Sequence, residues 1–138
     1  MNDEQVKVVL KSILSHNYHM VLGMPGSGKT MCIVVIVRIL VEMNQKVLIT
    51  GFSNQEVDNV LIKLKDSGFN KFVRITNNIT SAHASIRSHV KTTSDFDSMD
   101  QIRETIDSHY VYAATCLSMN NDLLTCLRFD FCIMDEAS

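Results

Sequence analysis

Apolar residues recur along this chain in two rhythms, and the alternation of the two is the first sign of its architecture. Val6, Val9, Leu10 and Ile13 keep the i, i+3, i+4, i+7 spacing of one helix face, behind Asn2 or Asp3 as cap. Tyr18–Leu22 is a short apolar run that reads as a buried strand. Ten of the eleven residues from 31 to 41 are apolar, enough for a helix covered on nearly all sides. Lys46–Thr50 reads as a second strand. Ser53 then caps a helix whose Val57, Val60, Leu61 and Leu64 form one face, and Phe72–Thr76 is a third strand. From 77 to 109 the pattern thins into Ser, Thr, Asn and His, an irregular surface excursion that closes on a short helix through Met99, Ile102 and Ile106. Tyr110–Thr115 is a fourth strand, Met119–Leu127 a further helix, and Phe129–Met134 a fifth strand ending in Asp135-Glu136. Strands alternating with helices predict an α/β fold, a parallel sheet of about five strands with helices on both faces.

Between the first strand and the largely apolar helix stands Gly23-Met24-Pro25-Gly26-Ser27-Gly28-Lys29-Thr30, which satisfies GxxxxGK[ST] at every fixed position. Glycines there let the backbone aim several N–H groups at one anion, and the next helix adds its positive N-terminal end. Gly23, Pro25, Gly26, Ser27 and Gly28 are therefore expected to cradle phosphates, with Lys29 on the β/γ-phosphates and Thr30 on Mg²⁺. The loop also decides a local ambiguity. Ile33–Val37 has the β-branched composition of a strand, but the loop requires a helix directly after Lys29. In a parallel sheet, ligands bind at the carboxyl ends of the strands, and the loop, Ser53-Asn54, Thr115-Cys116 and Asp135-Glu136 all fall there. An acidic pair at such a strand end supplies what phosphoryl chemistry still needs: Asp135 to hold Mg²⁺, Glu136 to orient or deprotonate the attacking water. Asn70-Lys71-Phe72-Val73 does not complete the guanine-reading Asn-Lys-x-Asp, which leaves ATP as the expected nucleotide.

Composition narrows the picture further. The chain has 138 residues, 46% hydrophobic, with one proline and five glycines, which describes one globular domain. A net charge of −2 gives no global signal for nucleic acid, so such binding must rest on a local patch. Between Lys63 and Lys91 six basic residues (Lys63, Lys65, Lys71, Arg74, Arg87, Lys91) stand against Asp66 alone. That stretch reads either as a basic rim beside Ser53-Asn54 or as a solvated face. Cys32, Cys116, Cys126 and Cys132 have neither metal-ligand nor disulfide-framework spacing and read as reduced, buried thiols of an intracellular protein. No leader and no apolar run long enough for a bilayer is present, so no membrane partner is expected. The chain stops soon after its last strand, which reads as a piece of a longer protein.

Taken in order, Asn2-Asp3-Glu4-Gln5, Gly23–Thr30, Thr50–Asp58, Ala114-Thr115-Cys116-Leu117 and Phe129–Ser138 resemble the first five motifs of superfamily 1B helicases, among them the eukaryotic DNA replication helicase/nucleases and the nonsense-decay RNA helicases. The resemblance spans nearly the whole chain and is weakest over 77–109. It implies a single, incomplete RecA-like P-loop NTPase domain over 1–138. It implies Gln5 on adenine, Lys29, Thr30, Asp135 and Glu136 at the triphosphate, and Ser53, Asn54 and Thr115 along single-stranded DNA, or RNA. A second RecA-like domain with its catalytic arginines lies outside the sequence, and a nucleus-located replication or repair helicase is the implied setting. Gly51 and Glu56 depart from the family's usual residues in the second motif, and Arg74-Ile75-Thr76 lacks the glycine that commonly follows that strand. A catalytically inactive nucleotide- or partner-binding module of helicase origin is the alternative.

Overall fold

The computed structural model describes residues 1–137, so Ser138, the last residue of the acidic motif, lies outside the described residues. Five strands, Val47–Gly51 (β1), Phe72–Ile75 (β2), Val90–Lys91 (β3), Val111–Thr115 (β4) and Phe131–Met134 (β5), pair in parallel in the order β3-β2-β4-β1-β5. The strands β1, β2 and β4 are buried along their whole length, as continuous apolar strands covered on both faces must be. On one face lie Asp3–Leu14 (α1), Lys29–Glu42 (α2) and Asn54–Asp66 (α3), packed around Val37, Leu40, Ile49, Val57, Leu61 and Phe72. On the other, Met99–Ser108 (α4) and Asp122–Thr125 (α5) bring Ile102, Leu123 and Leu124 against Leu48, Val73 and Tyr112. No helix of the described residues is long and apolar enough to cross a membrane.

The α2 segment is helical despite its β-branched run, and magnitudes explain why. Helix propensity disfavours Val and Ile by at most about 0.7 kcal/mol each, whereas full burial of such a side chain contributes about 1.5–3 kcal/mol. Val37 and Leu40 are completely buried. Packing therefore overrides local preference.

Several expectations need correction. Tyr18–Leu22 is not a strand: the segment is irregular, with Tyr18 85%, Met20 71% and Leu22 89% exposed. The segment pairs with no strand of the β3-β2-β4-β1-β5 sheet, and an apolar run without a hydrogen-bonding neighbour has no way to satisfy its backbone except with water. The fifth strand comes instead from β3, inside 77–109. The face expected on α1 is only partly used: Val9 is buried and Ile13 packs on the core, while Val6 and Leu10 are exposed. Of the cysteines, all four are free but only Cys32 is buried; Cys126 and Cys132 are exposed, because β5 is an edge strand and α5 is a single turn. The helix expected over 119–127 contracts to that turn, preceded by a 3₁₀ turn at Cys116–Ser118.

The stretch 77–98 contains 3₁₀ turns at Ile79–Ser81, Ala84–His89 and Thr93–Asp95 around the fully buried Ile86. It is fastened to α3 at two points, one of them Lys65 Nζ donating to Ser85 O at 2.6 Å. Asp58 Oδ2 accepts from the His83 backbone N–H at 2.7 Å, while its Oδ1 accepts from Arg74 Nε at 2.9 Å. Arg74, on β2, has no solvent exposure, and it also donates to Ile75 O and Asn54 Oδ1 at 2.8 and 2.7 Å. A fully desolvated guanidinium needs such partners. Arg74 accordingly leaves the basic rim that charge counting assigned to it.

Candidate functional site

The register of the sheet lines up the carboxyl ends of three strands, Gly51 opposite Thr115 and Thr50 opposite Met134. The residues that follow each strand therefore meet along one edge. Thr50 Oγ1 lies 3.4 Å from Cys116 Sγ, and the Asp135 backbone N–H donates to Thr50 O at 3.1 Å.

The phosphate loop joins this edge from α2. Ser27 N–H closes a turn onto Met24 O at 3.1 Å, and Gly28 caps α2 at φ +84°, a left-handed conformation that glycine adopts without penalty. A Cβ at Gly28 would also stand 2.5 Å from Gln5 Nε2, so the loop is closed from outside by α1. Gln5 holds it there. Its Nε2 donates to Ser27 O at 3.1 Å, and its Oε1 accepts from the Asn2 N–H at 3.0 Å within a capping box. Both ends of the amide are thus engaged with protein.

Lys29 and Glu136 face one another across the mouth of the loop, Nζ to Oε1 3.7 Å. Glu136 reaches this position through a left-handed backbone, φ +50°, uncommon for a residue with a side chain, and its N–H donates to Asp135 Oδ1 at 3.1 Å. Burial pushes the Asp135 carboxyl above its ordinary value; the Glu136 N–H opposes this, the Glu136 charge adds to it, and Lys29 again opposes it. Gly23, Pro25, Gly26, Gly28, Lys29, Thr30, Met31, Lys63 and Glu136 line an open cleft of about 680 Å³, within the size range of nucleotide-sized ligand sites. The Thr30 hydroxyl and the Asp135 carboxylate are hard oxygen donors of the kind Mg²⁺ takes in small number beside water and phosphate oxygens. Among the described residues no group of three or more His, Cys, Asp or Glu converges as a protein-only metal cage.

The residues expected along nucleic acid lie on the same edge but outside the cleft lining. Ser53 Oγ accepts from Glu56 N–H at 3.2 Å as the cap of α3. Asn54 Oδ1 accepts from Arg74 Nη2 at 2.7 Å. Thr115 is buried, its hydroxyl 3.0 Å from Ser118 Oγ. Beside them stand Phe52 and Leu117, 56% and 88% exposed, an apolar pair that sequence reasoning passed over. Lys63, which charge counting grouped with Lys65 and Lys71 in the basic stretch, lines the cleft instead. A lysine spaced from Leu64 and Leu61 on a helix leaving the active edge was the available signal.

Residues 1–104 match the AAA domain family. The chain is 37% identical over 137 residues to a DNA replication ATP-dependent helicase/nuclease of Arabidopsis thaliana, covering 99% of this chain and 10% of that protein. Enzymes of the same description from Xenopus laevis and Homo sapiens are 35% identical over 140 residues and 34% over 142, each covering 100% of this chain and 13% of the relative. The chain thus spans about a tenth of the length of these curated relatives.

Proposed function

The chain belongs to the AAA domain family, within its helicase/ATPase members, and from that premise we propose that the cleft binds Mg-ATP as the first motor domain of a DNA helicase. The observation that carries the reading is the Lys29–Glu136 contact across the mouth of a glycine-turned loop at a helix N-terminus. In this proposal the backbone N–H groups of 26–30 and the Lys29 ammonium hold the β- and γ-phosphates. Bound Mg²⁺, held by Thr30 and Asp135, would neutralise phosphate charge. Glu136, released from Lys29 as the phosphates take its place, accepts a proton from the attacking water. Gln5, already fixed against Ser27, is the side chain nearest the loop from α1, and we assign it to the adenine.

Single-stranded DNA is the proposed track along the same edge, with Ser53, Asn54 and Thr115 at its backbone and Phe52 offering a ring face to a base. Coupling of hydrolysis to movement belongs to the intact protein, in the nucleus. Support for DNA over RNA comes from the relatives, each described as a DNA replication helicase/nuclease.

Equilibrium titration with a fluorescent ATP analogue tests the reading. Lys29→Ala is expected to abolish most triphosphate affinity with the fold intact, and unchanged affinity would overturn the assignment.

A further inference from the structure

We propose that Lys63 is a second phosphate-directed cation of this cleft, acting from α3 on the wall opposite the loop; the proposal deepens the Mg-ATP reading and rests on it. Both α2 and α3 start at the carboxyl edge of the sheet and run back side by side. Arg38 Nη1, in the third turn of α2, donates to Ser67 O just beyond the end of α3 at 2.9 Å, which fixes their relative height. Lys63 lies one turn before Ser67. Because Cα–Cβ bonds on a helix tilt toward its N-terminus, the Lys63 stem leans toward the phosphate loop, and the residue lines the cleft together with Thr30 and Met31.

Charge makes this placement consequential. The described residues form three ion pairs, Lys7–Glu4, Lys29–Glu136 and Arg74–Asp58, and Lys63 belongs to none. The nearby Lys65 differs, since its Nζ is committed to Ser85 O at 2.6 Å. Within the cleft lining the positive side chains are Lys29, already facing a carboxylate, and Lys63, with no carboxylate of its own. An incoming polyphosphate therefore meets an uncompensated ammonium on the α3 side. A flexible lysine acts there as a point charge, reading the number of phosphates without fixing their geometry.

The test compares Mg-ATP and AMP binding for the wild type, Lys63→Ala, Lys63→Arg and Lys29→Ala. Lys63 is exposed in the last turn of α3, where alanine is well tolerated. Lys63→Ala is expected to weaken Mg-ATP by about three- to tenfold, the range for a solvent-accessible charged contact, and to leave AMP within about twofold. Lys63→Arg should restore most of the loss. Wild-type Mg-ATP affinity in Lys63→Ala beside a damaged Lys29→Ala would overturn this role and leave the nucleotide site standing. Equal losses for ATP and AMP would also overturn it, since they would assign Lys63 to the fold. If Lys29→Ala itself binds normally, the nucleotide reading fails and this one fails with it.

Discussion

The carboxylate of Glu56 stands in the space that a side chain on Gly51 would need: a Cβ there would lie 3.0 Å from Glu56 Oε2 and 3.2 Å from Glu56 Cβ. That carboxylate accepts from the Phe52 and Ser53 backbone N–H groups at 2.8 and 3.1 Å, completing the capping box of α3. The missing side chain at Gly51 and the reach of the Glu56 carboxylate are therefore coupled, one making room for the other.

Gly51→Ala is expected to lower the thermal midpoint by roughly 3–6 °C through overpacking against Glu56. In a Glu56→Ala background the penalty should largely vanish, and additive effects in the double mutant would refute the coupling. The Glu56 carboxyl is held below its ordinary value, first by the Ser53 N–H, against desolvation, and then by the Phe52 N–H. A lowered folded value means stability present above the unfolded value and lost as pH falls through the folded one. The advantage of wild type over Glu56→Gln should therefore be full at neutral pH and shrink on acidification below the ordinary value of 4.5.

Asp58→Ala should destabilise the domain by about 3–5 kcal/mol in urea denaturation, because it strands the buried Arg74 charge. Replacing both by apolar residues, Asp58→Leu with Arg74→Met, should cost much less. A double variant as unstable as the single one would show that shape, not charge, is at stake.

Glu136→Gln should keep or tighten ATP-analogue binding, since it frees Lys29 from its ion pair, while hydrolysis by the intact protein falls by about 10²–10⁴-fold. Parallel loss of binding and rate would move Glu136 from base to metal ligand.

No arginine lines the cleft among the described residues. An arginine finger typically contributes about 10³–10⁵ in rate, so the 138-residue chain should bind Mg-ATP yet turn it over barely above background, with no strand separation. Robust single-strand-stimulated turnover by this chain alone would contradict that expectation.

Single-strand binding should depend on fewer charges than counting suggests. With Arg74 buried, Lys65 and Arg87 engaged with backbone carbonyls and Lys63 in the cleft lining, the exposed Lys71 and the partly exposed Lys91 remain. If Lys71 meets a phosphate, Lys71→Glu should flatten the log–log salt slope by about 0.7. An unchanged slope would make it a solvated residue.

What the sequence made legible was whatever its chemistry keeps local. The phosphate loop, the cap at Ser53, the helix over α2 and the acidic pair after β5 are each written in a few consecutive residues, and the alternation of elements implied the parallel sheet. Pairings between distant residues were not legible. Nothing near Tyr18–Leu22 reports that the sheet leaves this segment unpaired, so an apolar run was read as a strand. Arg74 and Asp58 are sixteen positions apart, and only their intrusion into apolar patterns, Phe72-Val73-Arg74-Ile75 and Val57-Asp58, hinted at a buried pair. Lys63 shows the same limit, since helix direction, not sequence neighbourhood, decides which site a long side chain reaches.

The helix after Lys29 bears on how the protein folds. Its β-branched run gives α2 little tendency to form alone, so the left-handed turn at Gly28 and the helix end behind it arise only when Val37 and Leu40 meet the sheet and α3. The anion trap is therefore no portable motif. Acquiring the core and forming the proposed anion site are one cooperative event, so a nucleotide bound there would steady the whole domain by mass action. Amide protons of α2 should then exchange by opening of the entire molecule, while those of the unpaired segment at 18–22 exchange freely in the native state.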